Sequence, residues 1–97
     1  MEENEAVANT NNTSIKVFPN PAVNSFRIIW NNESRTEIVS AKLSDAYGKT
    51  VWMLSKIESS NLNNMQVDVS KFSAGIYTLQ IINDAGNINT TKVIVNR

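Results

Sequence analysis

The side chains that could carry out acid–base chemistry in this 97-residue chain are carboxylates, lysines and tyrosines. There are nine acidic residues, no histidine and no cysteine. The commonest general base and metal ligand is therefore missing, and so are disulfides and thiol catalysis. Beyond an acidic start, the carboxylates stand singly: Glu33, Glu37, Asp45, Glu58, Asp68 and Asp84. Two of them could meet as a hydrolytic pair, but so scattered a set favours a protein that is not an enzyme and holds no metal or cofactor.

The formal charges cancel, with nine basic residues against nine acidic ones. The basic residues form no stripe, which argues against nucleic acid as a partner. No apolar run is long enough to cross a bilayer, so direct membrane insertion is not expected. Because no cationic start precedes an apolar block, we expect any signal for export across the inner membrane to lie outside this sequence.

From Ser14 onward the apolar residues recur with a period of two, which is typical of strands with one buried face. The pattern predicts seven short strands, in the segments SIKVF, SFRIIW, EIVSAKLSD, TVWMLS, MQVDVS, IYTLQII and TKVIVN. We therefore expect an all-β, antiparallel, Ig-like β-sandwich over residues 14–97. Residues 1–13 are polar and acidic, and we expect them to form a flexible lead-in or linker.

The alternation also predicts which side chains face the core. The expected inward residues are Phe26, Ile28, Val39, Ala41, Leu43, Met65, Val67, Val69, Tyr77, Leu79, Ile81, Val93 and Val95, and Trp30 shares the face of Phe26 and Ile28. The segment TVWMLS is apolar on both faces, which predicts a strand that other structure covers on both sides.

The segment KVFPNPAVNSFRI sets two prolines, one residue apart, between two predicted strands. Proline donates no hydrogen bond to a sheet, and it drives the preceding residue towards an extended conformation. We expect a stiff corner at Pro19, Asn20 and Pro21 that sets the exit of the first strand and keeps that edge from pairing.

Two further segments predict turns. DAYGK, residues 45–49, has a carboxylate that opens a tight hairpin and a glycine that accepts positive φ. Asp84, Gly86 and Asn87 offer fewer oxygen ligands than a calcium loop requires, and we interpret that segment as a turn as well.

The final strand, TKVIVNR, allows two interpretations. It is either an ordinary edge strand, protected by Lys92 and Arg97, or an edge that a partner protein captures by strand addition. The residues alone favour neither.

Tryptophan side chains suggest a different class of function, a carbohydrate-binding or fibronectin-like accessory module that stacks sugar rings. Trp30 lies at a strand end and is the better candidate for exposure. Trp52 lies between apolar neighbours and is expected to be packed.

Four segments occur in a fixed order: FPNPAVNSF, LSDAYGKTV, SAGIYTLQI and TKVIVNR. Together they resemble the type A C-terminal sorting domain of the type IX secretion system of Bacteroidota. That family is marked by a PNP near the first strand, an Asp-x-x-Gly-Lys/Arg turn, a Gly-hydrophobic-Tyr strand start and a final lysine-led apolar strand. The resemblance covers residues 15–97, and the positions for which it implies a role in recognition are Pro19, Asn20, Pro21, Asp45, Gly48, Lys49, Gly75, Tyr77, Lys92, Val93, Ile94, Val95 and Arg97.

The resemblance implies a non-catalytic address label on a larger cargo that crosses the periplasm and then reaches the cell surface or the medium. The implied partners are the type IX translocon, its outer-membrane shuttle protein and a sortase-like peptidase that removes the label. The lead-in would offer that peptidase an extended backbone. We expect the machinery to grip the terminal strand, so that deleting residues 92–97 abolishes export and leaves the rest soluble.

Overall fold

The computed structural model of the chain describes residues 14–31 and 37–96. The predicted flexible lead-in, residues 1–13, and Arg97 lie outside the described residues. The described strands are β1 (Ser14–Phe18), β2 (Ser25–Asn31), β3 (Ile38–Ser44), β4 (Thr50–Glu58), β5 (Gln66–Asp68), β6 (Gly75–Asn83) and β7 (Ile88–Val95). One helical turn, α1 (Ser59–Leu62), lies between β4 and β5.

These strands form two antiparallel sheets, and each predicted strand segment coincides with one of them. One sheet has the order β1-β2-β5, and the other has the order β4-β3-β6-β7. Every strand pairing within them is antiparallel. The predicted all-β, antiparallel sandwich is therefore confirmed.

The core lies between the inner faces of the two sheets, as expected for a sandwich. All the side chains predicted to face inward are buried, except Met65, which is half-buried and packs against the core. Ala22 and Leu62 also belong to the core. Both lie outside the strands, so strand alternation gives no signal for them.

The prediction for TVWMLS is wrong, because β4 is an edge strand rather than a covered one. None of its residues is buried, and Met53 is 62% exposed. Its apolar residues pack against the margin of the core from one side only; they are Val51, Trp52, Leu54 and Ile57. An edge strand of this kind needs apolar residues where it meets the core, but no described strand pairs with its outer side.

A β-bulge interrupts this edge. Ser55 and Lys56 together lie opposite Ser40, between the pairs Val39–Ile57 and Ala41–Leu54. Lys56 has φ of 54°, and its N–H donates to the Ser40 hydroxyl at 3.1 Å. Bulges twist an edge and disfavour its pairing with another chain.

The prediction that Trp30 is exposed is also wrong, since only 4% of it is accessible. Its indole N–H donates to the buried Ser59 hydroxyl at 2.7 Å, and its backbone N–H donates to the Asn63 side chain at 2.9 Å. α1 and the turn after it therefore cover the end of β2 and satisfy its polar groups. Trp52 is half-buried against the core, so neither indole forms an open platform for sugar rings.

The inner face of β6 gives a test of the fold. We expect Leu79→Ala to lower the free energy of unfolding by about 2–5 kcal/mol, because it leaves a cavity between the sheets. Ile76→Ala, on the exposed face of the same strand, should cost less than about 1 kcal/mol. Urea unfolding followed by tryptophan fluorescence measures both, and equal losses would contradict this assignment of faces.

Candidate recognition site at one end of the sandwich

The four sequence motifs lie at the same end of the sandwich. The β6–β7 register places Gly75 opposite Val95, and the β3–β6 register places Ser44, just before the DAYGK turn, opposite Thr78. The Pro-Asn-Pro corner is hydrogen-bonded to the last residues of β7. Residues 19–22, 45–49, 71–76 and 92–96 are called the motif end from here on.

The Asn20 side chain pairs with the outer edge of β7. Its Nδ2 donates to the Lys92 carbonyl at 3.1 Å, and the Ile94 N–H donates to its Oδ1 at 2.9 Å. A carboxamide carries one donor group and one acceptor group side by side, as a peptide unit does. Asn20 therefore takes the place of one residue of a neighbouring strand.

Ala22 extends this pairing by one step. Its N–H donates to the Ile94 carbonyl at 2.7 Å, and its carbonyl accepts from the Asn96 N–H at 2.8 Å. These two bonds make a parallel bridge between Ala22 and Val95. The four bonds that Asn20 and Ala22 make with β7, called the corner clasp below, satisfy four backbone groups on the side of β7 that faces away from β6.

The corner clasp changes the roles expected for the corner and the terminal strand. The corner protects the edge of β7 and does not act on the exit of β1 alone. On its other side, β7 pairs with β6 from Ile88 to Val95. Because Val93 and Val95 are buried, deleting residues 92–97 removes two core side chains as well as the expected contact with the machinery.

DAYGK forms the predicted hairpin turn. The Asp45 N–H donates to the Lys49 carbonyl at 2.8 Å, and the Gly48 N–H donates to the Asp45 carbonyl at 3.0 Å. Asp45 Oδ1 accepts from the N–H groups of Tyr47 and Lys49, each at 2.9 Å. Gly48 has φ of 86°, where a side chain would be strained.

A second turn of the same design lies at the opposite end, between β6 and β7. The Asn83 N–H donates to the Asn87 carbonyl at 3.0 Å, the Asn87 N–H donates to Asn83 Oδ1 at 2.9 Å, and Gly86 has φ of 88°. This turn has Ala85 where DAYGK has Tyr47, and Asn87 where DAYGK has Lys49. The turn therefore requires neither the aromatic side chain nor the cation.

Tyr77 has a structural role at the motif end. It is 5% exposed, and its hydroxyl donates to the Ser73 carbonyl at 2.6 Å. Its ring stacks on Phe72 with centroids 6.0 Å apart. A tyrosine near a strand start that bonds back to the preceding loop is also a device of immunoglobulin-like sandwiches.

A cavity of about 330 Å³ lies between the DAYGK turn and the loop that leads into β6. Its lining includes Tyr47, Lys49, Lys71, Phe72 and Ile76. The second and third sequence motifs therefore share one concave surface, which the sequence did not predict.

The residues predicted to take part in recognition divide into accessible and buried groups. Exposed side chains or backbone occur at Pro19, Asn20, Pro21, Gly48, Lys49, Gly75, Lys92 and Ile94, and Asp45 is half-buried. Tyr77, Val93 and Val95 are in the core, and Arg97 lies outside the described residues. The motif positions thus mix surface residues with residues that hold the surface in place.

Sequence reasoning missed several exposed apolar residues at or beside this end. Tyr47 is 95% exposed and Ile76 is 52% exposed; Ile76 lies directly opposite Ile94, which is 41% exposed. Phe18 is 71% exposed beside the corner. The sequence did contain a signal for Ile76 and Ile94. Both are apolar residues on the outer face of an alternating strand, where polar residues are usual.

Over residues 14–31 and 37–96, no cluster of three or more acidic, histidine or cysteine residues could hold a metal ion. In the same ranges no helix is long and apolar enough to cross a membrane.

The family model described as "Secretion system C-terminal sorting domain", the type IX sorting domain, matches residues 16–96. The chain belongs to this family. The match includes all four motif segments of this sorting domain apart from Arg97. Among curated proteins, none matches it.

Two solved structures resemble the sorting domain in fold. A DUF3244 family protein from Bacteroides vulgatus, with an immunoglobulin-like β-sandwich fold, has a TM-score of 0.66 and 19% identity over 84% of this chain and 83% of its own. Dimeric latent PorU from Porphyromonas gingivalis has a TM-score of 0.60 and 23% identity over 96% of this chain, which corresponds to 10% of the PorU chain. At these identities the likeness shows the fold, and the predicted Ig-like sandwich is confirmed.

The corner clasp gives a test of the first motif. We expect Asn20→Ala to lower the free energy of unfolding by about 1–2 kcal/mol, because it removes two hydrogen bonds, and to speed amide exchange at Ile94. Asn20→Asp keeps the Oδ1 acceptor but sets a carboxylate oxygen against the Lys92 carbonyl, so it should also destabilise. Asn24→Ala, in the same loop, is the control. Hydrogen exchange followed by NMR measures the effect, and unchanged exchange at Ile94 would contradict the clasp.

The two tyrosines give a matched test of the third motif. Tyr77→Phe should lower stability by about 1 kcal/mol, because the Ser73 carbonyl loses its donor. Tyr47→Phe should leave stability unchanged, since that hydroxyl is in solvent. Thermal unfolding measures both, and a neutral Tyr77→Phe variant would show that the hydroxyl contributes nothing to the fold.

Proposed function

We propose that this sorting domain is a non-catalytic label that directs a larger cargo protein through the type IX outer-membrane translocon to the cell surface or the medium. Its partners in this proposal are the translocon and an outer-membrane shuttle protein. The cargo passes through the periplasm first, and a sortase-like peptidase then removes the domain.

The observation that carries the proposal is the gathering of the four family motifs at one end of the sandwich. Segments separated by up to 74 residues in sequence, such as Asn20 and Ile94, meet there through direct hydrogen bonds. A surface built from several chain segments exists only in the folded domain. A partner that binds this surface therefore distinguishes folded from unfolded domains. Because the chain belongs to this family, we expect a component of the secretion machinery to bind this surface.

The chemistry of the motif end suits binding rather than catalysis. Its accessible groups are amides, lysines and apolar side chains, and the Asp45 carboxylate is engaged by backbone N–H groups of its own turn. The fold likeness to a segment that makes up 10% of PorU also fits a module within a longer protein. We place the peptidase cut before β1, so that the cargo is released without part of the sandwich.

Export of a reporter tests this function. The whole chain is fused to the C-terminus of a periplasm-directed fluorescent protein in a Bacteroidota host with a working type IX system. We expect reporter at the cell surface or in the medium, shortened by at most the 10.8 kDa of the whole chain, since the proposed cut lies before β1. Fluorescence of the cell fractions and intact mass of the exported reporter measure the two effects.

A strain without the translocon and a reporter without the domain are the controls. Reporter that stays in the periplasm of both the wild-type and the deficient strain would contradict the sorting function. Export of a full-length fusion would contradict the peptidase step alone.

A further inference from the structure

We propose that the cavity at the motif end is a docking site for an acidic segment of a partner protein. Lys49 and Lys71 would bind the carboxylates of that segment, and Tyr47 and Ile76 would contact its apolar groups. The inference rests on the proposed function, and it specifies the chemistry of the component of the secretion machinery that reads the domain.

The size of the cavity limits its occupant. Its volume of about 330 Å³ is near the lower end of the range for ligand sites, which is about 300–1,000 Å³. A few side chains of a peptide fit such a space better than a large cofactor does. The stacked rings of Phe72 and Tyr77 give it a wall fixed by packing and by the Tyr77–Ser73 hydrogen bond.

The charges around the cavity favour an acidic occupant. Lys49 and Lys71 both line it, and over the described ranges neither ammonium group has a carboxylate within ion-pair distance. Asp45 is the only acidic residue in the described lining, and its Oδ1 is engaged by two backbone N–H groups. The lining therefore carries two cations against one anion that is already hydrogen-bonded.

Among the described residues, acidic side chains outnumber basic ones at the opposite end of the sandwich. Glu37, Glu58 and Asp84 lie there, with Lys56 nearby. A molecule whose two ends differ in charge is oriented by the electric field of a charged partner as it approaches. An acidic partner surface would therefore attract the motif end rather than the opposite end.

The two hairpin turns provide an internal comparison. Both share three hydrogen bonds and a positive-φ glycine at the same position, but only the turn at the motif end carries an exposed tyrosine and a lysine. The fold does not account for Tyr47, which is 95% exposed. Tyrosine is enriched at the centres of protein interfaces because it combines a large contact area with a polar tip.

The decisive variants exchange the chemistry of the two turns. Tyr47→Ala with Lys49→Asn gives the DAYGK turn the side chains of its counterpart at these two positions. Ala85→Tyr with Asn87→Lys makes the reciprocal change at the other end and serves as the control. A second set comprises Lys49→Glu with Lys71→Glu, the charge-preserving Lys49→Arg with Lys71→Arg, and Lys16→Glu with Lys56→Glu as a control away from the cavity.

All variants are measured in the export assay with the full chain, after thermal unfolding has shown that each is folded. We expect the turn exchange and the Lys49→Glu, Lys71→Glu pair to reduce the exported fraction about tenfold or more. The arginine pair and both controls should be exported as the wild type is. Wild-type export of the glutamate pair, or equal loss with the arginine pair, would overturn the acidic partner.

Failure of the inference can be told from failure of the proposed function. If the wild-type domain gives no translocon-dependent export, the sorting function itself is overturned. If the wild type is exported and the cavity variants match it, only the docking site is overturned. Binding of the wild-type chain to vesicles of phosphatidylglycerol and phosphatidylcholine, lost in the glutamate pair, would assign the lysines to an anionic lipid surface and overturn the protein partner.

Discussion

One carboxamide holds an early segment of this domain against its last strand. Asn20 presents a donor and an acceptor to the edge of β7, and Ala22 continues the pairing. Without these bonds, the strand that supplies Val93 and Val95 to the core would have a partner on one side only. Because Ala22 is itself buried, the same contact ties the connection between β1 and β2 to the four-stranded sheet. At the opposite end, the Trp30–Ser59 hydrogen bond ties the end of β2 to α1, which directly follows β4 of the other sheet.

The four-stranded sheet protects its two edges by different means. A bulge distorts β4, and a folded-back segment of the chain pairs with β7. The two solutions have different consequences for recognition. The bulged edge exposes an irregular backbone to solvent, whereas the paired edge fixes the exposed side chains of Lys92 and Ile94, and Ile94 lies opposite Ile76 of the cavity lining. In the proposed function, buried motif residues such as Tyr77 would support recognition indirectly, because they position neighbours that a partner can reach.

Much of the fold could be predicted from the sequence, because a strand with one buried face imposes a period of two on its residues. That period identified seven strands and the inward side chains of five. It failed for β4, since partial cover at an edge and full cover in a sheet centre both select apolar residues on two faces. The expected exposure of Trp30 was wrong for another reason, because burial of a strand end depends on α1, which lies far along the chain. The site was harder to predict: residue types indicated the corner and the turn, but only the order of the strands brings them together.

The bonds between Asn20 and β7 span 72 and 74 residues of the chain. During synthesis, the corner leaves the ribosome early, whereas Lys92 and Ile94 are among the last residues of this sequence to be added. A ribosome that stops before residue 94 releases a chain with an incomplete core and an unpaired corner. The folded surface at the motif end therefore forms only after all the preceding codons have been translated. A secretion system that reads this surface would reject truncated cargo without inspecting the cargo itself.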